Sequence, residues 1–438
     1  MEGTIAEARD QAVSAVLGLH KKFLEEGGSN PALTALWESA IQRFETLKFP
    51  HRKHEMYTFV NTKELAATPF DLQTENNIPG EFIQRHIYPG CEKSHLTLVD
   101  GIHRPELSDT SALDGALRIR TLGEAVSDPD IRDYLLHTIA EENDVFASIN
   151  GAFFKQGMMI EVEPKSQVKN PLQILHVSGG SKSRLVMTRP RVLVKLGMLA
   201  ELKMIVKFVG VRGNYFVNAV QDILVKEGAG VTFTQVQQDA PDAWHFSKAR
   251  VEMEANSRFM AANASSGSKL TRHHYEVHLK EAGAELRLNG VSVLTDEEQV
   301  HNFIRIHHEA PHCTSNQHFK NIVNQRSRSS VDGTVVVNPG AQLTSSDQLI
   351  NNLMLSDGAH ADNKPNLMIF ADDVKCTHGA TIGQIDEDQM FYLKTRGLSQ
   401  KIAKELLTKS FAESIIQTIE FPAVVEDLEN FLLKKLEA

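Results

Sequence analysis

The chain has 438 residues, of which 41% are hydrophobic and 23% charged, enough for an ordinary soluble core spread over two or three domains. Its 46 lysines and arginines against 56 acids leave a net charge of −10, which excludes a surface designed overall for nucleic acid or anionic lipid. Three widely spaced cysteines (Cys91, Cys313, Cys376) exclude a disulfide framework and point to a reducing compartment, read as the cytoplasm.

The chain opens Met1-Glu2-Gly3-Thr4-Ile5-Ala6-Glu7, without the basic start and apolar run of a signal peptide, so export by that route is not expected. Residues 1–150 read as a helical domain with an irregular segment. Ala12, Val13, Val16, Leu17 and His20 fall at helical spacing, Gly27 to Pro31 breaks the run, and a second helix carries Leu33, Leu36, Ile41 and Phe44. Residues 60–110, with Pro69, Pro79, Pro89 and Pro105, are irregular; a helical pattern returns at Ile131, Tyr134, Leu135 and Ile139.

From 151 to 380 short β-rich runs separated by turn residues replace the helices, as at 173–177, 192–194, 204–209, 222–225, 286–288, 303–306, 335–337 and 367–370. The most apolar stretch, Val192 to Val211, is interrupted by Lys195, Glu201, Lys203 and Lys207. Its alternation after Glu201 predicts a strand with one wet face, not a membrane span. Gly-Ala recurs at 228–229, 283–284, 340–341 and 358–359, separations of 55, 57 and 18, which suggests a parallel β-helix with about 18 residues per coil. A sandwich or barrel remains the other all-β reading.

Residues 381–438 return to helix. Asp386 and Gln389 resemble a capping box, Gly397 stands where a helix C-cap belongs, and Ser399 starts a second helix through Ile402, Leu406, Phe411, Ile415 and Ile419. These helices are more apolar than one buried face requires, so a partner protein is expected against the other.

No G-x-x-x-x-G-K-[ST], C-x-x-C, H-E-x-x-H or G-x-S-x-G motif occurs, so nucleotide hydrolysis, if coupled to this chain, belongs to a partner. His307, His308, His312, Cys313 and His318 form the densest metal-ligand cluster, but adjacent histidines on a strand point to opposite faces, as do His273 and His274. In Ala371-Asp372-Asp373-Val374-Lys375-Cys376-Thr377-His378-Gly379, by contrast, Cys376 and His378 share a face, roughly 6–7 Å apart at Cβ. A thiolate and an imidazole so placed are candidate ligands for transient iron, the remaining ligands coming from another chain. The bland alternative is a buried cysteine and a hydrogen-bonded histidine at a solenoid end.

This stretch, continuing as ADDVKCTHGATIGQIDEDQMFYLKTRGLS over 371–399, resembles the SufB/SufD family of scaffold subunits of the Suf iron–sulfur cluster assembly machinery. Ala310 to Asn316, Asn338 to Gln342 and Asn352 to Asp357 carry the same likeness, which spans about 150 to 415. Gly379, where SufB-like chains have glutamate, favours a resemblance to the SufD side, with a SufB-like scaffold subunit as the alternative. The resemblance implies a right-handed parallel β-helix flanked by helical domains, with no catalytic residues and no tightly bound cofactor. It implies pairing with SufB through the β-helix and docking of the SufC ATPase on the C-terminal helices, for which Phe391, Tyr392, Arg396 and Phe411 are the candidates. A nascent iron–sulfur cluster would form at the SufB–SufD interface at His378, with Cys376 beside it, and the free chain is a candidate homodimer. Cys91 and Cys313 are read as structural. Two other classes compete: an exported polysaccharide-degrading β-helix, disfavoured by the N-terminus, and a self-contained metalloenzyme using the 307–318 histidines.

Overall fold

The computed structural model describes residues 2–27, 30–51, 54–72, 78–113, 115–181, 183–211 and 213–437. Two long helices, Glu2–Gly27 and Pro31–Leu47, open the chain. The second starts where an N-cap and a proline coincide: Asn30 accepts from the Ala32 N–H at 3.2 Å, and Pro31 supplies a preset φ. It buries Leu33, Leu36, Trp37, Ala40 and Phe44 against the helices Pro129–Ala140 and Val145–Phe153. The helical bundle is tied to the strands behind it by aromatic edges, with Phe146 lying 4.5 Å from Phe246 and 5.9 Å from Phe216.

The strands form a parallel β-helix, seven coils of two strands each. In order these are Arg191–Leu196 with Glu201–Gly210, Tyr215–Val225 with Gly230–Gln238, Trp244–Met253 with Arg258–Ser265, Leu270–Leu279 with Glu285–Leu294, Gln299–His308 with Thr314–Val323, Arg328–Val337 with Thr344–Met354, and His360–Ile369 with Val374–Gly383. The first members of the pairs stack into one sheet and the second members into another. At its start the stack is closed by short strands, Leu117–Thr121 antiparallel to Met158–Val162 and Ile102–His103 antiparallel to His95–Val99. His95–Val99 lies inside the segment read as irregular; five residues flanked by turns left too little alternation to reveal it.

The coil length differs from the expected 18 residues. Gly230, Arg258, Glu285, Thr314 and Ser345 stand in register, so one coil takes 27 to 31 residues. Two strands near ten residues plus two turns require that length. The true repeat is a backbone conformation. Leu199, Gly228, Asn256, Gly283, His312 and Leu343 all have φ between 54° and 78°, once per coil at the same turn. Each is followed by a small buried residue: Ala200, Ala229, Ser257, Ala284, Cys313 and Thr344. Their carbonyls accept from the next coil, as in Arg258 N–H to Ala229 at 2.8 Å and Ser345 N–H to Cys313 at 3.1 Å. Gly-Ala marks this turn at 228 and 283, is displaced by three residues at 340, and belongs to the opposite turn at 358.

The outer face of the second sheet is not wet throughout. Lys203 is exposed, whereas Lys207 is buried under the helix Pro422–Glu437, its ammonium 2.9 Å from Asp427 and 4.2 Å from the Tyr88 ring centre. Helix Gln400–Ile416 covers the same sheet further along through Ala412, Ile415 and Ile416. Among the described residues no helix is long and apolar enough to cross a membrane.

The outer face of the first sheet meets the N-terminal helices through buried charge. Asp144 accepts from Tyr57 Oη at 2.6 Å and Arg272 Nη1 at 2.6 Å, and lies 2.8 Å from His274 Nδ1. Glu142 takes Lys248 at 2.5 Å and Arg250 at 2.6 Å. Burial alone would raise the Asp144 carboxyl, but Arg272 and His274 hold it well below the usual range. Asp144→Ala strands a buried guanidinium and is expected to cost about 3–5 kcal/mol in urea unfolding, against about 1 kcal/mol if the network were solvated.

Candidate functional site

The seventh coil is where both sheets end. Val374–Gly383 hydrogen-bonds to Thr344–Met354 on one side and His360–Ile369 to Arg328–Val337, and each is the last strand of its sheet. Unlike the start of the stack, this end has no antiparallel strand closing it among the described residues. Around it Phe370 is 59% exposed, Ile382 56%, Met368 45% and Ile369 39%, a concentration of large apolar side chains that folding alone leaves in water.

Cys376 lies in register with Ser346 and His378 with Gln348. Those partners face the solenoid interior: Ser346 Oγ lies 2.9 Å from Ser315 Oγ, which is 2.8 Å from His308 Nε2, and Gln348 Nε2 donates to Gln317 at 3.5 Å. Cys376 therefore continues a column of inward polar side chains and packs on the apolar interior, half-buried. His378 continues the neighbouring column and is exposed, because among the described residues no eighth coil covers it. The period of two puts thiol and imidazole on one face at an open mouth. Burial raises the Cys376 thiol, with the Ser346 backbone N–H pulling weakly the other way, so ligation to a metal requires proton loss first.

The five residues of the 307–318 group are not brought together, which removes the basis for a metalloenzyme built on them. His308 points inward to Ser315, while His307 points outward and stacks on His278 at 4.6 Å. His312 occupies the left-handed turn position and Cys313 the small-residue column behind it, its thiol raised by burial. His318 bonds Asn351 at 2.8 Å on the other sheet. His273 and His274 separate likewise, the first inward to Ser247 at 2.8 Å and the second outward to Asp144. Cys91 is buried beneath Pro171 and its thiol is pushed up to about 11, chiefly by burial.

The C-terminal helices Glu387–Thr395 and Gln400–Ile416 enclose a groove of about 730 Å³ lined by Tyr392, Leu393, Leu406 and Leu407. Phe391 (68%) and Tyr392 (55%) are exposed, and the Arg396 guanidinium lies 5.2 Å from the Tyr392 ring centre. Phe411 is differently placed: it is half-buried on the solenoid, with Lys320 4.7 Å from its ring centre, so much of it is already committed to the chain's own fold.

The model for the SUF system FeS cluster assembly SufBD core domain matches residues 176–411, and that for the SufBD protein N-terminal region matches 17–174. The chain belongs to the SufBD family of iron–sulfur cluster assembly proteins. It is 28% identical to an iron–sulfur cluster assembly SufBD family protein of Synechocystis, over 92% of this chain and 90% of that one. It is 28% identical to the iron–sulfur cluster assembly protein SufD of Escherichia coli, over 86% and 87%, and 29% identical to Protein ABCI7, chloroplastic, of Arabidopsis thaliana, over 90% and 84%. The SufBD core match takes in all seven coils, including the open end, and the family likeness covers the N-terminal helices from residue 17 onward, where sequence motifs were sparse.

The differing burial of the three cysteines has a direct chemical consequence. At neutral pH maleimide is expected to label Cys376 slowly and Cys91 and Cys313 hardly at all, the Cys376 rate rising steadily with pH past 9 as the thiolate forms. Peptide mass spectrometry across a pH series checks both the order and the slope.

Proposed function

We propose that this chain is the SufD-type, non-catalytic scaffold of a Suf complex, pairing through its open seventh coil with a SufB chain and presenting His378 and Cys376 to a nascent iron–sulfur cluster. The observation that carries the reading is the coincidence of three features on one coil: unpaired strand edges, a ring of exposed apolar side chains, and a thiol and imidazole on the same face. Fully burying a large apolar side chain is worth roughly 1.5–3 kcal/mol, so the exposed group favours a covered state.

The two edges are not equivalent. His360–Ile369 contains Pro365, which has no N–H to donate, and Lys364, both devices that discourage strand addition. Val374–Gly383 has no proline and a single charge, Lys375. It is the better edge for a partner strand, and it carries both ligands. Two donors hold a cluster too weakly alone, so SufB supplies the others and the cluster passes on as cargo.

The C-terminal helices, with Phe391, Tyr392 and Arg396 exposed beside an apolar groove, are the surface for the SufC ATPase. ATP-driven rearrangement of SufC moves them against their SufB counterparts and opens the assembly interface. This works only if SufC has different affinity for the two arrangements.

Two experiments test the reading. In a reconstituted complex His378→Ala is expected to abolish most cluster formation while leaving subunit assembly intact; cluster formation at the normal rate removes the site assignment. Truncation after residue 385 is expected to eliminate ATPase binding in a pull-down but not SufB binding, and retained ATPase binding contradicts the helix assignment.

A further inference from the structure

On the outer face of the first sheet, His278 in the fourth coil and His307 in the fifth stand in register on adjacent strands. Their rings are parallel within 5° and 4.6 Å apart. Glu276, two residues before His278, shares that face, and one donor atom from each of the three lies within 4.8 Å of the other two. All three side chains are partly accessible.

We propose that Glu276, His278 and His307 form a binding site for one divalent transition metal of the zinc or ferrous class. The decisive detail is the partner behind His278. Its Nδ1 lies 2.6 Å from Glu309 Oε1, which fixes the ring, and its Nε2 is 3.9 Å from Glu276 Oε1. A metal-ligating histidine typically makes this arrangement, one nitrogen bonded to a carboxylate and the other free toward the metal.

Glu276 is held from its other oxygen. Lys248 lies 2.7 Å and Arg250 3.5 Å from Oε2, leaving Oε1 turned toward the imidazole. Those two cations do not forbid a third, because Glu142 and Asp222 answer them at 2.5 to 2.8 Å. Bonds of about 2.0–2.2 Å to a tetrahedral ion need donors roughly 3.5 Å apart, so side-chain rotation closes the site without moving the strands. Two imidazoles and one carboxylate select zinc or ferrous iron over magnesium or calcium and leave a position for water or an incoming ligand.

Burial would lower the His278 imidazole, but Glu276 and Glu309 push it up to about 9, whereas burial and His278 lower His307. The site is in the middle of the solenoid, two to three coils from Cys376 and His378, and does not depend on the cluster reading.

The test is calorimetric titration of the full chain with Zn²⁺, and with Fe²⁺ under anaerobic conditions. Wild type, His307→Ala, Glu309→Gln and the double variant Cys376→Ser/His378→Ala are compared. The expected result is one equivalent bound by wild type and by the double variant, at least about tenfold weaker binding in His307→Ala, and an intermediate loss in Glu309→Gln. If His307→Ala fails to fold, Glu309→Gln, which leaves all three donors in place, decides. No binding by wild type, binding by both single variants as tight as by wild type, or binding abolished in the double variant overturns the proposal.

Discussion

A parallel solenoid satisfies its backbone by stacking, and every coil depends on a neighbour on each side. That constraint makes the ends of the stack the places where the chain must do something else. At the start it adds short antiparallel strands and buries the flank under helices packed on Phe216 and Phe246. At the other end it does neither. Ten-residue strands finish both sheets with bare outer edges, and the residues that would face the inside of an eighth coil open to solvent. This asymmetry within one molecule is what the proposed docking of another chain rests on.

The flanks hold the rest rigid, by different means. The N-terminal helices grip the first sheet through Glu142 and Asp144, buried carboxylates each answered by two cationic or imidazole partners. Such pairs contribute little net stability, yet losing one partner is costly, so they specify geometry more than they add strength. The C-terminal helices cover the second sheet chiefly through apolar contact, with the ion pairs Lys207–Asp427, Lys203–Glu420 and Lys435–Glu298 tying them to the solenoid. Helix Glu387–Thr395 fully buries no side chain and packs on helix Gln400–Ile416.

Much of the strand content was legible because β-rich runs between turn residues are a local signal. The coil length was not: the left-handed position is filled by Leu199, Asn256, His312 and Leu343 as readily as by glycine, so Gly-Ala reports only some of the turns. Cys376 and His378 could be paired from the sequence because period two is local. The cluster of Glu276, His278 and His307 could not, since its histidines meet only through a register offset of one whole coil. The burial of Lys207 was likewise hidden, its partner Asp427 being 220 residues away.

We propose Val374–Gly383 as the docking edge of the chain. Backbone hydrogen exchange, measured on the chain alone and after adding a SufB-type partner, tests it most directly. Amides of 374–383 are expected to exchange quickly in the free chain and to slow by at least about tenfold in the complex, with a smaller gain along 360–369, where Pro365 interrupts pairing. Unchanged exchange over 374–383 alongside protection elsewhere would contradict it.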